Sequence, residues 1–180
     1  MSGELEQERA KMWGMDYDKA AEYWIERDRG SAKLEENELV KKINTFVEGH
    51  NTCALATSSA DGVRCTPIEY NYSDGCFYFF SEGGLKFKGL KENKHVGIAI
   101  YEPYSGFANL KSLQIEGIAS MIEPFSDEYL SIMAIKKIPV ETMKKLPCPM
   151  NLIKVVPKCF DYLDSSLKKD GYGSRQHLEK

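Results

Sequence analysis

Two stretches near the start of the chain repeat apolar residues at helical spacing. From Asp16 to about Arg29, Tyr17, Ala20, Ala21 and Trp24 stand at i, i+3, i+4 and i+7, the stripe of an amphipathic helix. Gly30 and Ser31 interrupt it. A second helix is predicted from about Leu34 to Glu48, with Leu39, Val40, Ile43, Phe46 and Val47 on one face. Glu38 precedes Lys42 by four residues on the solvent side, a small favourable pair, and Gly49 stands where a helix-ending glycine belongs. Residues 1–15 read as a disordered or loosely packed N-terminus.

The pattern then changes to β-branched and aromatic runs punctuated by turn residues. Thr52–Ser58 is a short apolar strand, Ser59-Ala60-Asp61-Gly62 a hairpin turn, and Val63–Tyr72 a long second strand. Asp74-Gly75 is another tight turn before Cys76–Ser81, so the three strands are expected to form an antiparallel meander. Gly83-Gly84 opens a short helix of about Leu85–Asn93. Val96–Tyr101 and Leu113–Glu123 are the fourth and fifth strands, and Gly117 marks a bulge or close approach. Ser126 caps a helix over Asp127–Lys136, and Pro139–Leu146 adds a turn or two more. Asn151–Val156 and Cys159–Leu163 form a last strand broken by Pro157, hence an edge or a bend. One domain is expected over residues 16–164, with 165–180 a polar C-terminal tail. The fold class is mainly β: six or so antiparallel strands with short helices, either a small barrel with helical appendages or an open ferredoxin-like sheet. Long helices do not alternate with strands, which disfavours a parallel Rossmann sheet.

Composition narrows the function classes. At 180 residues and 42% apolar content the chain can bury a core. Its 24 basic and 27 acidic side chains leave a net charge of −3, which argues against a nucleic-acid partner. No apolar run approaches the roughly 20 residues of a membrane helix, and the charged N-terminus shows no export signal, so a cytoplasmic location and no membrane partner are expected. Cys53, Cys65, Cys76, Cys148 and Cys159 contain no CxxC pair and read as reduced, mostly structural thiols. His50, His95 and His177 lie too far apart in sequence to suggest a metal site.

Candidate chemistry concentrates between Arg64 and Asn93. Arg64-Cys65-Thr66-Pro67-Ile68 places a proline inside a strand, at an edge or where another group approaches the backbone. Phe79-Phe80-Ser81-Glu82-Gly83-Gly84-Leu85-Lys86 combines a strand end, a hydroxyl, two glycines and an ammonium. Those are the parts of an anion site, and equally of a glycine turn with solvated lysines. No GxxxxGK[ST] loop is present. Cys65 is either a reactive thiol or a small packed side chain. The aromatic loop Tyr101–Asn109 could wall a ligand site.

In order, Thr52, Leu55-Ala56-Thr57, Asp61-Gly62, Arg64, Pro67, Phe77–Ser81, Lys86, Leu90, Asn93, Val96–Ile100 and Gln114-Ile115-Glu116-Gly117 resemble the pyridoxamine 5′-phosphate oxidase-like FMN-binding split-barrel family, over roughly Thr52 to Glu123. The resemblance implies a six-stranded antiparallel split β-barrel with N-terminal helices, a homodimer, and FMN held between subunits. Arg64, Cys65, Thr66 and Pro67 would line the ring and ribityl chain, Phe80 and Ser81 would lie beside the phosphate, and Lys86 would bind it. Gln114 would reach the flavin from the partner subunit. It implies an oxidoreductase passing electrons from NAD(P)H or a small-molecule substrate through FMN to a small acceptor, with no catalytic side chain required. A non-catalytic flavin carrier or redox sensor and a haem-binding split barrel are the alternatives; the latter calls for a histidine near the cleft. Several departures bear on vitamin B6 oxidation. Leu113-Gln114 replaces the oxidases' Arg-Gln, and Leu85 replaces an arginine. Their C-terminal strand with flavin-contacting tryptophan and arginine is not evident after Leu163. Arg175-Gln176-His177 matches their substrate-phosphate Arg-x-His pattern but is read as a chance match at the chain end.

Overall fold

The computed structural model describes residues 16–180, so the expectation for residues 1–15 lies outside the described residues. Helix α1 (Tyr17–Arg29) begins where the Asp16 side chain accepts a bond from the Lys19 N–H, and buries none of its residues. Helix α2 (Glu36–Glu48) seats Leu39, Ile43, Phe46 and Val47 in the core, the predicted stripe less Val40. There follow β1 (Thr52–Ser59), β2 (Gly62–Glu69), β3 (Asn71–Ser73), β4 (Cys76–Ser81), α3 (Lys86–Glu92) and β5 (His95–Tyr101). Then come β6 (Lys111–Ile122), α4 (Asp127–Ile135), α5 (Val140–Lys144), β7 (Asn151–Asp164) and β8 (Arg175–Glu179).

All the strands join one antiparallel sheet in the order β2-β1-β5-β6-β7-β4-β3, with β8 also on β7. Because β2 runs on into β3, the two ends of this order are joined through Tyr70, and the sheet curls into a barrel. β2 and β4 touch without sharing a ladder, and there the barrel is split. An open ferredoxin-like sheet is thereby excluded.

The sheet has eight strands rather than six, β3 and β8 being the additions, and it departs from expectation at three places. The predicted strand Val63–Tyr72 breaks at Tyr70, whose ring turns into the core and whose hydroxyl donates to the Val47 carbonyl at 2.6 Å. Both expected turns close, Ser59–Gly62 between β1 and β2 and Asp74-Gly75 between β3 and β4, but β2 and β4 share no ladder, so the continuous three-strand meander does not form. Secondly, Pro157 does not place its strand at an edge. β7 is paired on both sides and absorbs the proline as a bulge, where the register with β6 shifts between Glu116 and Gly117. A Cβ on Gly117 would lie 2.6 Å from Val155 Cγ1 and 2.8 Å from the Val156 carbonyl oxygen, so the bulge requires glycine there. Thirdly, residues 165–180 are not a tail apart from the domain. A 3₁₀ turn over Ser165–Asp170 leads into β8, and buried Gln176 ties the strand to the segment between the two helices. Its side chain accepts from the Leu34 N–H at 3.0 Å and donates to the Gly173 carbonyl at 2.6 Å. The polar composition of this stretch hid the alternation of one short strand.

The barrel core holds Leu55, Ile98, Ile115, Phe77, Phe79 and Phe160 among others, closed at one end by α2. A second, smaller core lies on the other face of β4, where α4 and α5 cover Tyr78, Phe80 and Leu152. Among the described residues no helix is long and apolar enough to cross a membrane. All five cysteines are free thiols, with only Cys53 buried.

Gln176→Ala should cost about 1–3 kcal/mol, because it strands the buried Leu34 N–H. Urea unfolding checks this, with Glu179→Ala in the same exposed strand expected to stay within about 0.5 kcal/mol of the parent.

Candidate functional site

The turn after β4 is built around two glycines that no other residue would replace without strain: Gly83 (φ 150) and Gly84 (φ 103). Ser81, the last residue of β4, points to the barrel side like Phe77 and Phe79, and its hydroxyl accepts from the Gly83 N–H at 3.3 Å. Asn151, opening β7, donates to the Ser81 carbonyl at 3.2 Å and so ties the turn to the sheet. Lys86 begins α3 and is 9% exposed. Its ammonium donates to the Gly83 carbonyl at 2.6 Å and stands 5.5 Å from the Phe87 ring. No carboxylate pairs with it among the described residues. Burial alone pushes its pKa down from the ordinary lysine value. The part-buried lysines Lys111 and Lys154, by contrast, pair with Asp164 and Glu128.

Cross-strand register sorts the other predicted residues by face. Arg64 opposes Thr57 and Thr66 opposes Leu55, and both Thr57 and Leu55 are buried. Arg64 and Thr66 therefore belong to the inner side, where α3 lies against β1 and β2. Ser81 and Lys86 meet at the turn that precedes α3, and Arg64 and Thr66 lie on the face of β2 toward the barrel interior. Cys65 and Pro67 project from the opposite, outer face and are exposed. Phe80 is committed elsewhere: its ring packs edge-on against Tyr129 at 5.5 Å in the second core, which leaves only its backbone toward the turn.

Gln114 is exposed on the outer face, within the row Pro67–Ala54–Ala99–Gln114–Asp161–His177. It lines a cavity of about 330 Å³ with Lys33, Asp28, Asp161, Arg175 and His177. Within one chain, Gln114 and Lys86 thus stand on opposite faces of the sheet. Arg175 and His177, set aside in the sequence, project beside Gln114, because residues two apart in β8 share a face. Arg175 pairs with Asp28 at 3.3 Å. The His177 ring lies 2.7 Å from an Asp161 oxygen and 3.0 Å from a Glu179 oxygen, and these two carboxylates raise its pKa. The signal that would have found them is the alternation Arg-x-His itself. The loop Tyr101–Asn109 leaves Tyr101, Tyr104 and Phe107 exposed, with Phe107 at 81%.

Comparisons with known proteins agree with this frame. The family model described as pyridoxamine 5′-phosphate oxidase matches residues 39–154, and the chain belongs to that family. The protein titled ChuZ from Campylobacter jejuni is similar in fold, with a TM-score of 0.63 at 22% identity over 82% of this chain and 62% of that one. A putative pyridoxamine 5′-phosphate oxidase from Listeria innocua has a TM-score of 0.55 at 23% identity, over 69% of this chain and 98% of its own. HutZ, titled a haem storage protein, from Vibrio cholerae has a TM-score of 0.55 at 20% identity, over 65% of this chain and 88% of its own. No curated protein matches in sequence.

Lys86→Met should leave the ligand-free protein within about 1 kcal/mol of the parent or more stable, since an uncompensated buried charge is removed. A loss above about 2 kcal/mol in urea would mean that the ammonium serves the fold. His177 carries the opposite sign of effect. Its folded pKa lies above its unfolded value, so its contribution is full below the ordinary histidine pKa of 6.5 and is lost as pH rises through the folded value. His177→Gln should therefore flatten the fall in urea midpoint between about pH 6 and about pH 8.

Proposed function

We propose that this member of the pyridoxamine 5′-phosphate oxidase family is a cytoplasmic flavoprotein. In this reading it binds FMN as a homodimer and passes electrons from NAD(P)H or a small reduced substrate to a small acceptor. The observation that carries the reading is the Lys86 ammonium, nearly buried and without a carboxylate. A cation kept at that cost fits a site whose counter-charge arrives with a ligand. The residues around it suit a phosphate monoester: the Ser81 hydroxyl, backbone N–H groups of the glycine turn, and Arg64, whose forked guanidinium can make paired contacts with phosphate oxygens. Thr66 and the neighbouring backbone of β2 offer donors and acceptors to a planar heterocycle. When bound, FMN supplies the electron chemistry, so the chain's task is to orient it and to exclude competing reactions.

The outer face supports the dimer. Ala54, Ala56, Gly97 and Ala99 form a patch of small side chains, rimmed by Val63 (73% exposed) and Tyr101 (64% exposed). A second copy seated there would supply Gln114, with the neighbouring Arg175 and His177, to a site between chains. A haem-binding reading is the alternative, because solved structures of the same fold are titled for haem storage or haem binding. Its specific support is His95, exposed at the start of β5, whose ring has no hydrogen-bond partner among the described residues. His50 and His177 each have both ring nitrogens engaged.

The visible spectrum of the purified protein separates the readings: paired flavin bands support FMN, and an intense Soret band supports haem. Lys86→Ala should weaken FMN binding by about 1.5–3 kcal/mol, roughly 10- to 150-fold, in a flavin-fluorescence titration. Unchanged affinity would remove Lys86 from the site. Turnover with NADH or NADPH distinguishes an enzyme from a carrier.

A further inference from the structure

The ammonium of Lys86 sits on a helix of only seven residues, entered through two glycines and without a side-chain cap at its start. Such an entry does not by itself fix where the helix lies. What fixes it is the far end, along the face that carries Lys86, Gly89 and Asn93 at i, i+3 and i+7. Gly89 lies directly on β1. A Cβ there would stand 3.1 Å from Thr57 Cβ and Oγ1 and 3.2 Å from the Ser58 carbonyl oxygen. One turn on, the Asn93 amide donates to the Ser58 hydroxyl at 2.8 Å, and its carbonyl oxygen accepts from the His95 N–H at 2.9 Å. Glu92 accepts from the Ala60 N–H at 2.9 Å. Three successive residues of β1 and its turn, Ser58 to Ala60, thus include both polar anchors of α3, and the packing of Gly89 on Thr57 sets the helix height. The Thr57 hydroxyl is buried with no hydrogen-bond partner, a cost consistent with contact so close that neither a donor nor water enters.

We infer that Asn93 and Ser58 are positioning residues for the Lys86 ammonium. Their bond locks α3 to the hairpin whose second strand carries Arg64 and Thr66, and so sets the span between the phosphate-binding cation and the groups facing the flavin rings. The inference rests on the FMN reading above. It goes further in assigning a role to two side chains that touch neither phosphate nor ring, and in making that role specific to the phosphate end of the ligand. Losing the lock lets the helix start drift while leaving β2 in place. Binding of the phosphate should then suffer, and binding of the ring system should not.

The test compares FMN with riboflavin, which has the same rings and no phosphate, by fluorescence titration of the parent, Ser58→Ala, Asn93→Ala and the double variant. Each single variant is expected to bind FMN about five-fold more weakly, the effect of one hydrogen bond, with riboflavin unchanged and the double variant no worse than the weaker single. An unchanged ratio of FMN to riboflavin affinity in both single variants would overturn the positioning role while the FMN reading stands. Equal affinity of the parent for the two ligands, or no binding of either, would overturn the phosphate reading itself and this inference with it. Circular dichroism checks folding. Should Asn93→Ala unfold, because it also leaves the His95 N–H unpaired, Ser58→Ala decides alone.

Discussion

A strand of fourteen residues paired along both edges has to accommodate sheet twist somewhere, and β7 does so at one place. Pro157 offers no N–H to the ladder, Gly117 opposite it offers no Cβ, and the register slips there. That bulge lets one edge of β7 change partners: Asn151–Val155 take β4, and Cys159–Leu163 take β8. The rest follows from this exchange. β4, held against the first half of β7, buries both faces, Phe77 and Phe79 into the barrel and Tyr78 and Phe80 under α4 and α5. Ser81 then ends beside Asn151, so the glycine turn hangs from a strand that is buried from Phe77 to Ser81 and laddered to β7, rather than from a free hairpin.

Electrostatically, the molecule satisfies its part-buried charges almost everywhere. Lys154 and Tyr78 share Glu128, and Lys136 reaches Glu69. Asp164, buried against Tyr162 and Ser166, also has Lys111. Lys86 breaks the rule: a single carbonyl and the face of one aromatic ring 5.5 Å away are poor compensation for a desolvated ammonium. Structural economy would replace it with methionine or leucine. That a lysine is kept there, with no carboxylate beside it among the described residues and under a two-glycine turn, is the reason to read the turn as a binding element.

The pieces legible in the sequence were those whose signal is local. The apolar stripe of α2, the β1–β2 hairpin, the helix cap at Ser126 and the glycine-to-lysine run all depend on neighbours in the chain, and all are found where expected. What was lost depends on partners far away. Tyr70 reads as another strand aromatic until Val47 is there to accept its hydroxyl. Pro157 reads as an edge or a bend and Gly117 as a bulge or close approach, but that the two make one bulge emerges only when β6 and β7 are paired. Arg175 and His177 look like the end of a polar tail until β7 supplies the edge on which they alternate. Phe80 is expected beside a phosphate until a helix fifty residues on covers its ring.

The same alternation constrains how a site could be completed. A strand turns successive side chains to opposite faces, so Arg64 and Thr66 cannot share a surface with Cys65 and Pro67. Register carries that division across the sheet: the row through Thr66 continues into Leu55, Ile98 and Ile115 in the core, and the row through Pro67 continues to Gln114 outside. No rotamer of Gln114 crosses a packed sheet to reach the Lys86 side. On the proposed reading, then, a ligand gripped at Lys86 can meet a glutamine at this register only if the ligand leaves the barrel at the split edge beside β2 and the glutamine belongs to another copy. A lone chain offers a cation and an inner wall; the outer patch of Ala54, Ala56, Gly97 and Ala99 is where the second wall would have to come from.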